Sequence, residues 1–149
     1  MIRVLLQQQD FDPGALLADL EDRGGGGVAS FTGIVRGDGG LEELMLETHP
    51  TMTPARMEAI AVEAAARWPL LGLTIVHRHG ILAPGERIVF VGTAARHRGA
   101  ALEACAFLID WLKTSAPFWK RERFADGTER WVEAKAADDQ AALRWKSLT

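Results

Sequence analysis

Hydrophobic positions along this chain fall into two rhythms. Alternating or continuous apolar runs rich in β-branched and aromatic residues occur at residues 2–7 (IRVLLQ), 28–36 (VASFTGIVR), 41–49 (LEELMLETH), 73–82 (LTIVHRHGIL), 87–95 (RIVFVGTAA), 118–124 (FWKRERF) and 128–134 (TERWVEA), and each predicts a strand. Between them the spacing turns helical. Asp12 followed by Pro13 supplies a cap and a first helical residue for residues 13–23, a helix that Gly24 ends. Thr53 and Pro54 repeat that logic for a helix running to about Trp68, with Pro69 just beyond. The segment 98–117 (RGAALEACAFLIDWLKTSAP) predicts a third helix that stops before Pro117, because proline disfavours helical geometry in the residue preceding it. Asp126-Gly127 is a hairpin signal, and a short terminal helix is expected around residues 138–145.

The resulting order, β-α-β-β-α-β-β-α-β-β, places many strands next to one another with only short turns between them. That favours an α+β fold with a mostly antiparallel sheet and three main helices over a doubly wound parallel one. A length of 149 residues fits one domain spanning residues 1–149. The run Gly24 to Gly27 satisfies G-x-G-x-x-A literally, but it follows a helix and enters a strand, the reverse of the context that dinucleotide binding requires. It is expected to be a flexible connection.

Composition narrows the function. Seventeen Lys and Arg against twenty Asp and Glu leave a net charge of -3, so affinity for anions must be local. Residues 112–124 are such a locality: Lys113, Lys120, Arg121 and Arg123 against Glu122 sum to +3, leaving -6 for the remainder. Cys105 is the only cysteine, which excludes an intramolecular disulfide and a Cys-rich zinc site and fits a reducing compartment. The apolar run at the start is too short for a signal peptide and no segment is apolar enough to span a bilayer, so a soluble cytoplasmic protein is expected.

Within the third helix, Cys105, Ala106, Ile109 and Leu112 fall within about 80° of Leu102, and Lys113 lies only about 20° from it. A lysine thus interrupts the apolar stripe one turn from the helix end, where it either snorkels to water or occupies a pocket. The following strand sets Phe118, Lys120, Glu122 and Phe124 on one side and Trp119, Arg121 and Arg123 on the other. Lys113 and Lys120 therefore have a route to one pocket, suited to proton transfer or to holding an anion. The competing reading is a solvated basic edge strand.

Arg96, His97 and Arg98 precede the same helix, whose N-terminus already carries positive partial charge, an arrangement that a bound phosphate or carboxylate would relieve. Arg36, before a Gly-rich loop, is a third candidate anion contact. His77 and His79 share a strand face, but no third metal ligand has recognisable spacing. Cys105 is expected in the core, and Glu103 and Asp110 on the solvated flank of their helix.

The run Lys113-Thr114-Ser115-Ala116-Pro117-Phe118-Trp119-Lys120-Arg121-Glu122 resembles the motif K-x-x-x-P-hydrophobic-W-K-K/R-E of the large, catalytic subunit of molybdopterin synthase. Residues 31–36 (FTGIVR), 77–86 (HRHGILAPGE), 96–104 (RHRGAALEA) and 130–134 (RWVEA) resemble that family's other blocks in order, so the likeness covers nearly the whole chain. The resemblance implies an α/β-hammerhead fold and a sulfurtransferase of molybdenum cofactor biosynthesis. Its substrate would be cyclic pyranopterin monophosphate, converted to the dithiolene of molybdopterin. The sulfur donor would be the C-terminal thiocarboxylate of a small ubiquitin-like subunit, two of which flank a central homodimer in a heterotetramer. The resemblance makes Lys113 and Lys120 the catalytic lysines. It adds Ile34, Val35, Arg36, His97, Arg98, Arg121 and Glu122 to them as substrate-binding positions, with no metal, no resident cofactor, no nucleic acid and no membrane. Two features depart from the family: His49 stands where a tyrosine is usual, in a chain with no tyrosine, and the Gly24 to Gly27 run is uncommon.

A different class of function, a non-catalytic module using residues 118–124 to bind single-stranded nucleic acid or to scaffold a ubiquitin-like partner, is the alternative against which the enzyme is weighed.

Overall fold

In the computed structural model, which describes residues 1–132 and 136–146, the chain runs β1 (Ile2–Gln7), α1 (Pro13–Glu21), β2 (Gly27–Ile34), a short 3₁₀ turn (Asp38–Gly40), β3 (Leu41–Thr48), α2 (Met52–Arg67), β4 (Leu70–Arg78), β5 (Gly80–Leu82), β6 (Arg87–Ala95), α3 (Arg98–Thr114), β7 (Phe118–Phe124), β8 (Glu129–Val132) and α4 (Ala136–Leu143). The strands form two four-stranded sheets, one ordered β1-β4-β6-β2 and the other β5-β3-β7-β8. Only the β1–β4 pair is parallel among the pairings described. The fold is therefore α+β and mostly antiparallel, as expected, with the three main helices and, in α4, the short terminal one.

The central strands of the first sheet, β4 and β6, are covered on both faces, which explains their nearly unbroken apolar sequences. Leu73, Ile75, Val89 and Val91 meet α2 and α3 in the main core. Val76, Phe90 and Ala94 point the other way and meet Leu16 and Leu20 of α1. A third cluster, Val35, Leu41, Leu44, Leu46 and Leu82, fills the space under the second sheet.

Several expectations are corrected. The apolar segment 73–82 is not one strand. His79 N–H still donates to Gln7 O at 3.0 Å, but Gly80 then takes φ +94°, a left-handed conformation that turns the chain out of the first sheet and into the second. The helix expected to be capped at Thr53 starts at Met52 with Thr51 at the cap position; the Thr51 side chain makes no cap bond, and instead Nδ1 of His49 accepts from the N–H groups of Thr51 and Met52 at 3.2 and 2.9 Å. The imidazole of His49 thus braces the start of this helix. The glycine run is a close contact rather than slack, since a β-carbon on Gly25 or Gly26 would lie 2.4 or 2.5 Å from the carbonyl oxygen of Ala95 or Arg96. Strand β2 ends at Ile34 because the register slips between Gly33 and Ile34, so Val35 and Arg36 lie beyond it. Strand β8 is observed over Glu129–Val132; Glu133 and Ala134 of the expected strand lie outside the described residues.

Candidate active site

The C-terminal turn of α3 and the start of β7 are joined by only Ser115, Ala116 and Pro117. Asp110 to Thr114 end the helix, Ser115 N–H and Ala116 N–H both return to the carbonyl of Trp111, and Pro117 launches the strand. The short connection folds β7 back beside the helix end. As a result Lys113 and Lys120 line the same cavity of about 280 Å³, together with Phe118, Glu122, Leu44 and Asp138. Lys113 is half-buried where it lines this cavity. Its ammonium makes no ion pair among the described residues.

Register explains the selection of side chains from β7. Leu46, Lys120 and Val132 lie side by side on β3, β7 and β8, followed by Leu44, Glu122 and Arg130. This inner face of the second sheet is the cavity wall. The neighbouring row, Met45, Arg121 and Trp131, belongs to the outer face, where the Arg121 guanidinium lies 5.7 Å from the Trp131 ring. The strand's aromatic and cationic residues are divided between two faces, and Phe118 is turned inward, so no continuous stacking platform for nucleic acid forms.

Two acids balance the lysines. Asp138 enters from α4, and Glu122 accepts from Arg130 Nε at 2.9 Å, with that guanidinium lying 5.2 Å from the Phe124 ring centre. Arg130 thus partly neutralises Glu122 and shifts the balance in the cavity toward positive. Neither Arg130 nor Asp138 stood out in the sequence: the first is a lone cation on a polar hairpin, and the second becomes relevant only when α4 docks.

Behind Phe118 lies His77, which is buried. The two rings stack with centroids 3.9 Å apart and planes at 23°. His77 Nδ1 is 2.7 Å from the carbonyl oxygen of Arg78, and because a carbonyl only accepts, Nδ1 carries the proton in this contact. Burial pushes the His77 pKa down to about 3, with the charges of Lys120, Lys113 and His79 acting in the same direction against the opposing Arg78 hydrogen bond. The sequence suggested His77 and His79 only as a shared-face pair; a packing role with Phe118 was invisible to it.

The remaining candidates are dispersed. Arg36 is exposed, with Nε 3.5 Å from Asp38 Oδ2. Ile34 beside it is half exposed, whereas Val35 is buried in the third core cluster and its N–H and carbonyl bond Glu86 O and Gly85 N. His97 and Arg98 are exposed at the opposite end of α3, about 22 Å along the axis from Lys113 at 1.5 Å per residue. Arg98 lies beside Gly27 at the start of β2. Arg96, His97 and Arg98 make no ion pair among the described residues.

Three other side chains differ from or sharpen the expectation. Glu103 and Asp110 are not simply solvated: they accept from the indole N–H groups of Trp68 and Trp145 at 2.9 and 2.6 Å. Cys105 is core, as expected, and burial pushes its thiol up to about 12, which removes it as a nucleophile at neutral pH. No described helix is long and apolar enough to cross a membrane.

Residues 6–115 match the family model described as MoaE protein. A molybdopterin synthase catalytic subunit from Mesorhizobium japonicum is 53% identical over 148 residues, covering 97% of this chain and 93% of the relative. Among solved structures, a molybdopterin biosynthesis MoaE protein from Burkholderia ambifaria superposes with a TM-score of 0.83 at 46% identity, covering 98% of this chain and 99% of that one. Molybdopterin synthase from Staphylococcus aureus gives a TM-score of 0.77 at 27% identity, covering 86% of this chain and 95% of the other.

Proposed function

Because the chain belongs to the MoaE family, the catalytic subunits of molybdopterin synthase, we propose that the cavity between Lys113 and Lys120 is where sulfur is transferred to the pterin. The protein is a sulfurtransferase subunit of molybdenum cofactor biosynthesis. The observation that carries the assignment of the site is the convergence of two lysines, one from the end of α3 and one from β7, on one cavity.

The chemistry asks for such a pair. A thiocarboxylate at the end of a small ubiquitin-like partner is an anion, and the cyclic pyranopterin monophosphate it meets is another. Neutralising both in a partly dry cleft requires fixed positive charge, which is worth more there than in water. Sulfur bonds to a carbon of the pterin side chain as the carbon–oxygen bond there breaks, the oxygen leaving with the phosphate at one carbon and, after protonation, as water at the other. Water then cleaves the acyl–sulfur bond through a tetrahedral oxyanion, leaving a carboxylate on the partner and a thiolate on the product. Lys113 and Lys120 stabilise the negative charge at each stage and move protons between partner, water and product. Two such cycles make the dithiolene.

His97 and Arg98 lie too far from Lys113 along α3 to join it within one chain. Their role as substrate contacts therefore calls for a second copy, whose α3 N-terminus approaches the cavity of the first. Arg36 and the half-exposed Ile34 are the further substrate contacts, carried on the buried Val35, and Glu122 stands with Lys120 on the cavity face while Arg121 adds positive charge from the outer one. The test is reconstitution: purified protein mixed with a thiocarboxylated small subunit and cyclic pyranopterin monophosphate yields the dithiolene product. An absence of product with each component shown to be intact overturns the assignment.

A further inference from the structure

Resting on that reading of the cavity, we infer that His77 is a positioning residue for Lys120: its ring, pinned beneath Phe118, holds the wall from which Lys120 enters the cavity, and it neither gives nor takes a proton in the reaction.

The geometry supplies each link. Phe118 opens β7 and shares a face with Lys120 two residues on, so the plane of its ring and the path of the strand set where Lys120 starts. One side of Phe118 borders the cavity, and the imidazole of His77 stacks against the ring at 3.9 Å between centroids. His77 is itself held: the 2.7 Å contact of Nδ1 with the Arg78 carbonyl fixes the ring's rotation, and β4 anchors the residue through its pairing with Leu6 and Val89. A phenylalanine resting on a freely rotating side chain would lack that reference surface.

Neutrality follows from the surroundings. The charged groups facing His77 are Lys120 and Lys113 from the cavity side and His79 from its own strand's continuation, and all three oppose a further positive charge. Burial opposes it more strongly still. A third cation behind Phe118 would repel the lysines; an uncharged ring leaves the cavity's positive charge where a guest can reach it. An imidazole this hard to protonate is also a poor relay near neutral pH.

Three variants separate positioning from the alternatives. His77→Ala and His77→Gln remove the stack, and His77→Phe restores a flat ring without either nitrogen. In the reconstituted reaction, His77→Ala and His77→Gln are expected to lower kcat by roughly ten- to a hundredfold, the scale of a misplaced catalytic group, with the affinity for the small subunit unchanged. His77→Phe is expected to recover most of that loss and to keep the wild-type pH profile of kcat. In parallel, the NMR signals of the Lys120 side chain, which need no turnover, move in His77→Ala and His77→Gln and stay near their wild-type positions in His77→Phe. Wild-type kcat and unmoved Lys120 signals in folded His77→Ala or His77→Gln overturn the inference. Loss of one limb of the pH profile in His77→Phe overturns it too, by making the imidazole a proton carrier. If the wild-type protein itself makes no dithiolene, the assignment of the cavity fails, while the Lys120 signals still decide whether His77 positions that lysine.

Discussion

The Thr53 hydroxyl donates to the Pro117 carbonyl across 2.9 Å and accepts from the His49 N–H at the same distance. Thr53 is completely buried in the first turn of α2, while Pro117 begins the turn into β7. One hydroxyl therefore ties the start of one helix to the backbone that carries Lys113 into Lys120.

Replacing Thr53 with valine keeps the shape and removes both bonds, stranding a donor and an acceptor at a cost of about 1–3 kcal/mol for each group left unpaired. Thermal unfolding should show a lower Tm for Thr53→Val and a smaller change for Thr53→Ser, which retains the hydroxyl. Turnover should follow the same order, because the turn between the lysines loosens.

A second tether joins α3 to the C-terminal end of the described chain. Asp110 accepts from Trp145 Nε1 at 2.6 Å and from Arg144 at 3.2 Å, and Trp145 packs edge-on against Trp68 and Phe107. Asp110→Ala leaves the buried indole N–H without its acceptor, and a loss of about 1–3 kcal/mol is expected. Trp145 fluorescence should shift as the indole reaches water. Because α4 brings Asp138 to the cavity, turnover should fall as well; an unchanged emission spectrum with full activity contradicts this docking.

His77 also makes stability depend on pH in a definite direction. Its folded pKa, about 3, lies below the ordinary 6.5. The unfolded chain therefore binds more protons between those values, and stability rises with pH across that window. The contribution is complete above about 6.5 and is lost as pH falls toward 3. Urea unfolding of the wild type and of His77→Phe at several pH values should show a flatter dependence below pH 6.5 in the variant.

Cys105 gives a simple probe of the core. Its thiol is buried and pushed up to about 12, so a maleimide reagent at neutral pH should label the native protein far more slowly than the urea-unfolded one. Rapid native labelling would mean that the α3–β6 interface opens.

How much of this was visible in the sequence varies with the distance over which each feature is determined. The lysine pair was legible because Lys113 and Lys120 lie in adjacent elements whose periodicities, helical and then alternating, point them to one side of a short turn. The strands and helices were legible for the same local reason. The break at Gly80 was not, since an apolar run with one glycine reads as a single strand until the second sheet claims its end. Glu103 and Asp110 looked solvated because their indole partners, Trp68 and Trp145, are remote in sequence. His77 was obscured likewise: its partner is Phe118, and its neighbour His79 suggested a different pairing. Gly25 and Gly26 looked slack where the neighbouring backbone leaves no room for a side chain. Separation of Arg36 from His97 and Arg98 follows from the lengths of β2 and α3, which sequence implied but motif order concealed.

The claim that Lys113 and Lys120 do the chemistry is tested most directly by single-turnover formation of the dithiolene with Lys113→Ala in the presence of the thiocarboxylated small subunit and cyclic pyranopterin monophosphate. Turnover is expected to fall by about three orders of magnitude, the scale of losing a preorganised charge at a reacting centre, while circular dichroism and small-subunit affinity stay those of the wild type. A folded Lys113→Ala protein that binds its partner and makes product at the wild-type rate would contradict the account.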